Sequence, residues 1–160
     1  MRRLAVALAG VVLGGAALLG GCGGGGKQEA APPVALLTGV HVTPAEVVFD
    51  FRSAPDAVAT RFVNPADVAE SGSGRHVPVR GTSVLLVSFT PAASAEMRGD
   101  NVMRTYTGPR RVRGWGRVNE VVKVGDFEAQ LQWAIGLGSR RSFRIQRDGA
   151  RVAVVFGARS

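Results

Sequence analysis

Leu131, Trp133, Ile135 and Leu137 alternate with Gln130, Gln132, Ala134 and Gly136. That period of two lays one apolar row along a strand, and a helix, whose apolar positions recur every three to four residues, cannot satisfy it. The rhythm returns along the chain. Val47, Phe49 and Phe51 alternate with Val48, Asp50 and Arg52, while Leu85, Val87 and Phe89 share one face. Phe143 pairs with Ile145, and Val152 and Val154 with Phe156. Each run is short and ends in turn residues. Thr43-Pro44 separates the first two, and Gly138-Ser139-Arg140-Arg141 and Asp148-Gly149 the last ones. Asp-Gly is a strong two-residue hairpin signal.

This pattern predicts strands over 37–42, 47–52, 58–63, 76–80, 84–89, 118–124, 129–137, 142–147 and 151–156. The segments 76–80 and 84–89 are read as a hairpin around Gly81. Residues 91–96 could form a single helical turn, and 97–116 read as loop because Gly99, Gly108, Pro109, Gly114 and Gly116 break regular structure. About nine short strands with no long helix imply an all-β fold, a compact β-sandwich or partly open barrel. At 160 residues, 46% of them hydrophobic, the chain holds one such domain plus a tail and needs no disulfide.

The tail has its own logic. Arg2 and Arg3 precede an apolar run from Leu4 to Leu19, which is shorter than the roughly 20 residues of a spanning helix. It ends Leu19-Gly20-Gly21-Cys22, and Cys22 is the one cysteine of the chain. This resembles the lipobox of bacterial lipoprotein precursors, in which the cysteine sulfur is lipidated, as with palmitate, before the peptide bond ahead of it is cut. The expected organisation is a cleaved signal helix over 1–21, a flexible Gly/Pro-rich tether over 22–35 beginning at the lipidated Cys22, and a β domain over 36–158. A lipid anchor of this kind holds the domain on the extracytoplasmic face of the cell membrane.

The formal charge of +8 indicates anionic surroundings without choosing among nucleic acid, lipid and wall polymer. Arg104, Arg110, Arg111, Arg113 and Arg117, interleaved with Tyr106 and Trp115, occupy a stretch with no acidic residue between Asp100 and Glu120. Guanidinium forks take phosphate or carboxylate in bidentate fashion and aromatic rings stack on sugars, so the set suits an anionic glycopolymer or a lipid headgroup. It would equally suit single-stranded nucleic acid, a ligand that an exported, lipid-held chain rarely meets; none is expected. Alternatively, Tyr106 and Trp115 pack on the sandwich while the arginines are solvated.

Catalytic chemistry finds little support. His41 and His76 stand apart, so no metal site is expected. Ser71-Gly72-Ser73-Gly74 has the wrong order for a nucleophile elbow. Gly136-Leu137-Gly138 lacks the third glycine of a dinucleotide loop, and no cofactor is expected. Asp126 and Glu128 are two acids in a tight turn, read as a solvated bend rather than a glycosidase pair.

Three motifs carry a family likeness. Tyr106-Thr107-Gly108-Pro109-Arg110-Arg111, the run from Val121 to Trp133, and Phe143-Arg144-Ile145 with Arg151-Val152-Ala153-Val154-Val155 resemble the AMIN-like domain of actinobacterial lipoproteins. Val47-Val48-Phe49-Asp50-Phe51 is similar to that family's first hairpin. Family members usually carry an Asp-Arg pair ahead of Val-Val-Phe, where this chain has Ala45-Glu46. The resemblance implies a non-catalytic β-sandwich in the cell envelope that binds peptidoglycan or another wall glycopolymer or scaffolds envelope proteins, as AMIN domains proper attach amidases and secretion proteins. The alternative function is a carrier or sensor holding a small apolar molecule or lipid between the two sheets. A deep pocket lined by Trp133, Phe49 or Phe143 would favour it.

Overall fold

The structure, a computed structural model, describes residues 33–158. The expected leader 1–21, Cys22 and the tether as far as residue 32 lie outside the described residues. Strands follow one another as β1 (Ala35–Val42), β2 (Glu46–Phe51), β3 (Ala57–Val63), β4 (Ser83–Thr90), β5 (Ala92–Ala93) and β6 (Ala95–Arg98). They continue with β7 (Asn101–Arg104), β8 (Arg111–Arg113), β9 (Val118–Phe127), β10 (Gln130–Leu137), β11 (Phe143–Asp148) and β12 (Arg151–Phe156). Two five-stranded sheets, in the orders β11-β12-β2-β1-β5 and β3-β4-β10-β9-β8, pack face to face, and β6-β7 form a separate hairpin; none closes into a barrel.

The alternation in β10 sets the packing. Leu131, Trp133 and Ile135 stand opposite Phe89, Val87 and Leu85 of β4. Cross-strand partners project to the same side, so these six form one continuous apolar layer, and all are fully buried. Val47 and Phe49 of β2, paired with Val154 and Val152 of β12, meet that layer from the other sheet. The Phe49 ring lies 4.9 Å from Phe89 and 5.8 Å from Trp133, centroid to centroid. Full burial of side chains of this size stabilises the fold by about 1.5–3 kcal/mol each, so this layer holds the two sheets together.

The other face of β4 and β10 is covered too, and here the structure departs from the expected strand over 76–80. His76 makes only an isolated bridge to Ala69. The segment after β3 crosses the outer face of its own sheet, burying Val68, Val77 and Val79 against Val84, Leu86, Val122, Val124 and Ala134. Pro78 has no N–H to offer a ladder, so the segment is held by its valines and by hydrogen bonds such as Val77 N–H to Val68 O at 2.9 Å. Gly136 makes the crossing possible, because a Cβ there would collide with the Arg80 carbonyl.

Two further expectations are corrected. Residues 91–96 are not a helical turn: Ala35 N–H donates to Pro91 O at 3.0 Å and Ala92 N–H to Ala129 O at 2.7 Å, which draws Ala92 into a short parallel pairing with β1. The stretch 97–116, read as loop, contains most of the β6-β7 hairpin and β8. With 76–80 lost, eight of the about nine expected strands remain, and β5, β6, β7 and β8, of two to four residues each, bring the total to twelve. The turn between β9 and β10 is Glu128-Ala129, both with positive φ (50° and 55°), the backbone of a type I′ hairpin built without glycine.

Candidate functional site

The basic stretch runs from the end of β7 through β8 into the turn before β9. Within β8, Val112 packs on the main core, which leaves Arg111 and Arg113 on the outer side by alternation. Arg111 Nη1 donates to Glu120 Oε1 at 2.5 Å and Nη2 to the Pro78 carbonyl at 2.9 Å. Glu120 is only 3% exposed and also accepts the Arg80 N–H at 2.5 Å. A carboxylate so enclosed needs its cation, because an unpaired buried charge is strongly destabilising. Arg111 therefore belongs to the fold.

Arg110 is similarly engaged, with Nη2 donating to Glu70 Oε1 at 2.7 Å and Nε to Lys123 O at 3.0 Å. Glu70 accepts from Ser73 Oγ and Arg75 Nη2, each at 2.8 Å, through its other oxygen. The Ser73 hydroxyl first, then Arg75 and Arg110, hold its carboxyl down at about 2 instead of the ordinary 4.5. Arg117 Nη1 donates to the Phe156 carbonyl at 2.6 Å, and its own N–H to Pro44 O at 2.8 Å. Tyr106 is no surface ring. It is 7% exposed, stands edge-on to Trp133 at 5.6 Å, and donates its hydroxyl to Pro109 O at 3.0 Å. Burial pushes the phenol upward.

What remains available is a smaller set. Among the described residues, Arg104 and Arg113 make no side-chain hydrogen bond or ion pair, and both are exposed. Trp115, in the turn that follows β8, is 62% exposed. The seven residues singled out by the sequence thus do not form one patch. Arg104, Tyr106 and Arg110 border a cleft of about 480 Å³, while Arg113, Trp115 and Arg117 follow one another toward the turn at Pro44.

The cleft also contains groups that the sequence reading missed. Lys123 Nζ donates to Ser94 Oγ at 2.8 Å and to Asp126 Oδ2 at 3.1 Å, and the Ser94 hydroxyl donates to Asp126. Asp126, read as half of a solvated bend, is thus tied to Ser94, and only Glu128 sits in the turn itself. The Lys123-x-x-Asp126 spacing was visible in the sequence, but nothing local pointed to Ser94.

His41 and His76 contact different parts of the fold. His41 Nε2 lies 3.0 Å from Asp50 Oδ2 with the imidazole mostly exposed, and His76 Nδ1 lies 3.0 Å from Val68 O. Among the described residues no group of three or more His, Cys, Asp or Glu is placed to hold a metal ion. No helix among them is long and apolar enough to cross a membrane. The space between the sheets is filled by Phe49, Phe89 and Trp133. Phe143 borders a surface cleft with Phe62 and Arg140, whose guanidinium stacks 4.5 Å above the Phe62 ring. A solid core of this kind counts against a carrier that holds its ligand between the sheets.

Residues 32–156 match the family described as the AMIN-like domain. No curated protein and no solved structure matches the chain.

Proposed function

The chain belongs to the AMIN-like domain family, and from that membership we propose that it is a lipid-anchored envelope module binding peptidoglycan or another wall glycopolymer. AMIN-like domains are non-catalytic, so the activity is attachment. In this reading residues 1–21 are a signal peptide, Cys22 carries the lipid, and the domain sits on the extracytoplasmic face of the membrane.

The observation that carries the proposal is Trp115, a tryptophan 62% exposed two residues from the unpaired Arg113. A solvated indole is an apolar cost that a folded domain has no internal reason to bear. It provides a flat platform for a sugar face while the neighbouring guanidinium takes an anionic substituent. Arg117 helps to fix the turn that carries Trp115, through its N–H to Pro44 O and its guanidinium to the Phe156 carbonyl. The test is retention of the full chain, in detergent, on purified wall material. Trp115→Ala is expected to reduce retention at least fivefold with unchanged thermal stability; equal retention would remove this surface from the account. Mass spectrometry of the native product tests the address separately, with a lipidated Cys22 at the new N-terminus as the expected species.

A further inference from the structure

The cleft between the β6-β7 hairpin and β9 carries chemistry that the Trp115 surface does not use. Its volume of about 480 Å³ lies in the range of small-ligand sites. Lys123 to Asp126 of β9 line it on one side and Ala95, Val102 and Arg104 of the hairpin on another. Most of its charge is already committed: Glu70 to Arg75 and Arg110, and Asp126 to Lys123 and Ser94. Arg104 is the exception, exposed on β7 with no side-chain partner among the described residues. Beside it Val102 is 67% exposed, an apolar surface facing the same cleft. Val102 and Arg104 share one face of β7 by alternation.

We infer that this cleft binds a single carboxylate carried by a small aliphatic group, as at the C-terminus of a short peptide, with Arg104 as its anchor. A free guanidinium presents two parallel N–H donors that match the two oxygens of a planar carboxylate. The three cations of the lining exceed its two carboxylates by one charge. With Arg75, which lies outside the lining but is paired to Glu70, the charge count does not by itself separate a monoanion from phosphate; the exposed Val102 beside Arg104 does, because an aliphatic carboxylate covers it and inorganic phosphate cannot. Val102 and Ala95 then cover the aliphatic side chain next to the bound carboxylate. The inference stands apart from the glycopolymer reading, because it uses neither Trp115 nor Arg113.

The probe is N-acetyl-trialanine with a free C-terminus, titrated into the full chain in detergent while the Arg104 Nε–H resonance is followed by NMR. Saturable binding of the acid is expected, at least tenfold weaker for the C-terminally amidated peptide and at least tenfold weaker for Arg104→Gln. Arg104→Lys should retain an intermediate affinity, since it keeps the charge and loses the fork. Inorganic phosphate at equal concentration should not displace the peptide. Absence of binding, equal affinity for acid and amide, wild-type affinity in Arg104→Gln, or displacement by phosphate would each overturn the assignment. The acid–amide comparison needs no variant and is untouched by any effect of substitution on folding.

Discussion

On β8 and in the loop ahead of it, Arg110 and Arg111 reach carboxylates, the half-buried Glu70 of the covering segment and the buried Glu120, whereas Arg113, two residues further along, ends in solvent. Arg111 and Arg113 lie on the same face of the strand, and Arg113 even stands opposite Glu120 in register. Yet Glu120 Oε1 takes Arg111, together with the Arg80 N–H. The difference is one of acceptors. Glu70 takes Arg75 and Arg110, Glu120 takes Arg111, the Phe156 carbonyl takes Arg117, and among the described residues Arg104 and Arg113 make no side-chain hydrogen bond or ion pair. A run of arginines that looks uniform in composition is therefore partly structural and partly available to a ligand.

The contrast can be tested by removing one arginine at a time. Arg111→Ala should cost the most, about 2–4 kcal/mol in urea unfolding, because Glu120 stays buried without its cation. A loss under about 0.5 kcal/mol, the range of ordinary surface changes, would mean that Arg111 is as uncommitted as Arg113. Arg110→Ala should cost less, since its pair with Glu70 is half-exposed, and its signature is in the pH dependence. The folded-state pKa of Glu70 lies below the ordinary value, so its stabilising contribution is complete above about 4.5 and is lost as pH falls through about 2. Arg110→Ala should flatten the acid limb of a stability–pH curve in that window, and Glu70→Gln should flatten it further. Glu96, also held low, by Arg52 above all, leaves a residual slope in both. Arg113→Ala should change stability by no more than about 0.5 kcal/mol, and a larger loss would show that it too has a structural partner.

The main core was legible because its strands are long enough to show a period. Leu131, Trp133, Ile135 and Leu137 were expected on one face and are all fully buried, as are Leu85, Val87 and Phe89. The covering segment was not legible. Val84 and Leu86 point away from the main core, and their apolar character shows that something lies over them, but not what. The cover itself is mostly polar and contributes three buried valines, of which only Val77 and Val79 stand at alternate positions, with Pro78 between them, too short a run to distinguish a strand from a covering loop. Strands β5 to β8 are two to four residues long, below what alternation can register. The candidate site was legible as a basic stretch and not as a division of labour. The partner of Arg110 is 40 residues away and that of Tyr106, Trp133, is reached across the fold. Pairings of that kind depend on register and bulges, such as the one between Gln132 and Trp133, and no local spacing encodes them.

The most direct measurement is wall retention of Arg111→Ala and Arg113→Ala compared side by side, at a temperature where both are folded by circular dichroism. The account predicts that Arg113→Ala keeps the wild-type melting temperature and loses at least threefold in retention, while Arg111→Ala melts earlier and is retained like the wild type. Loss of retention confined to Arg111→Ala, or equal retention of both variants, would contradict it.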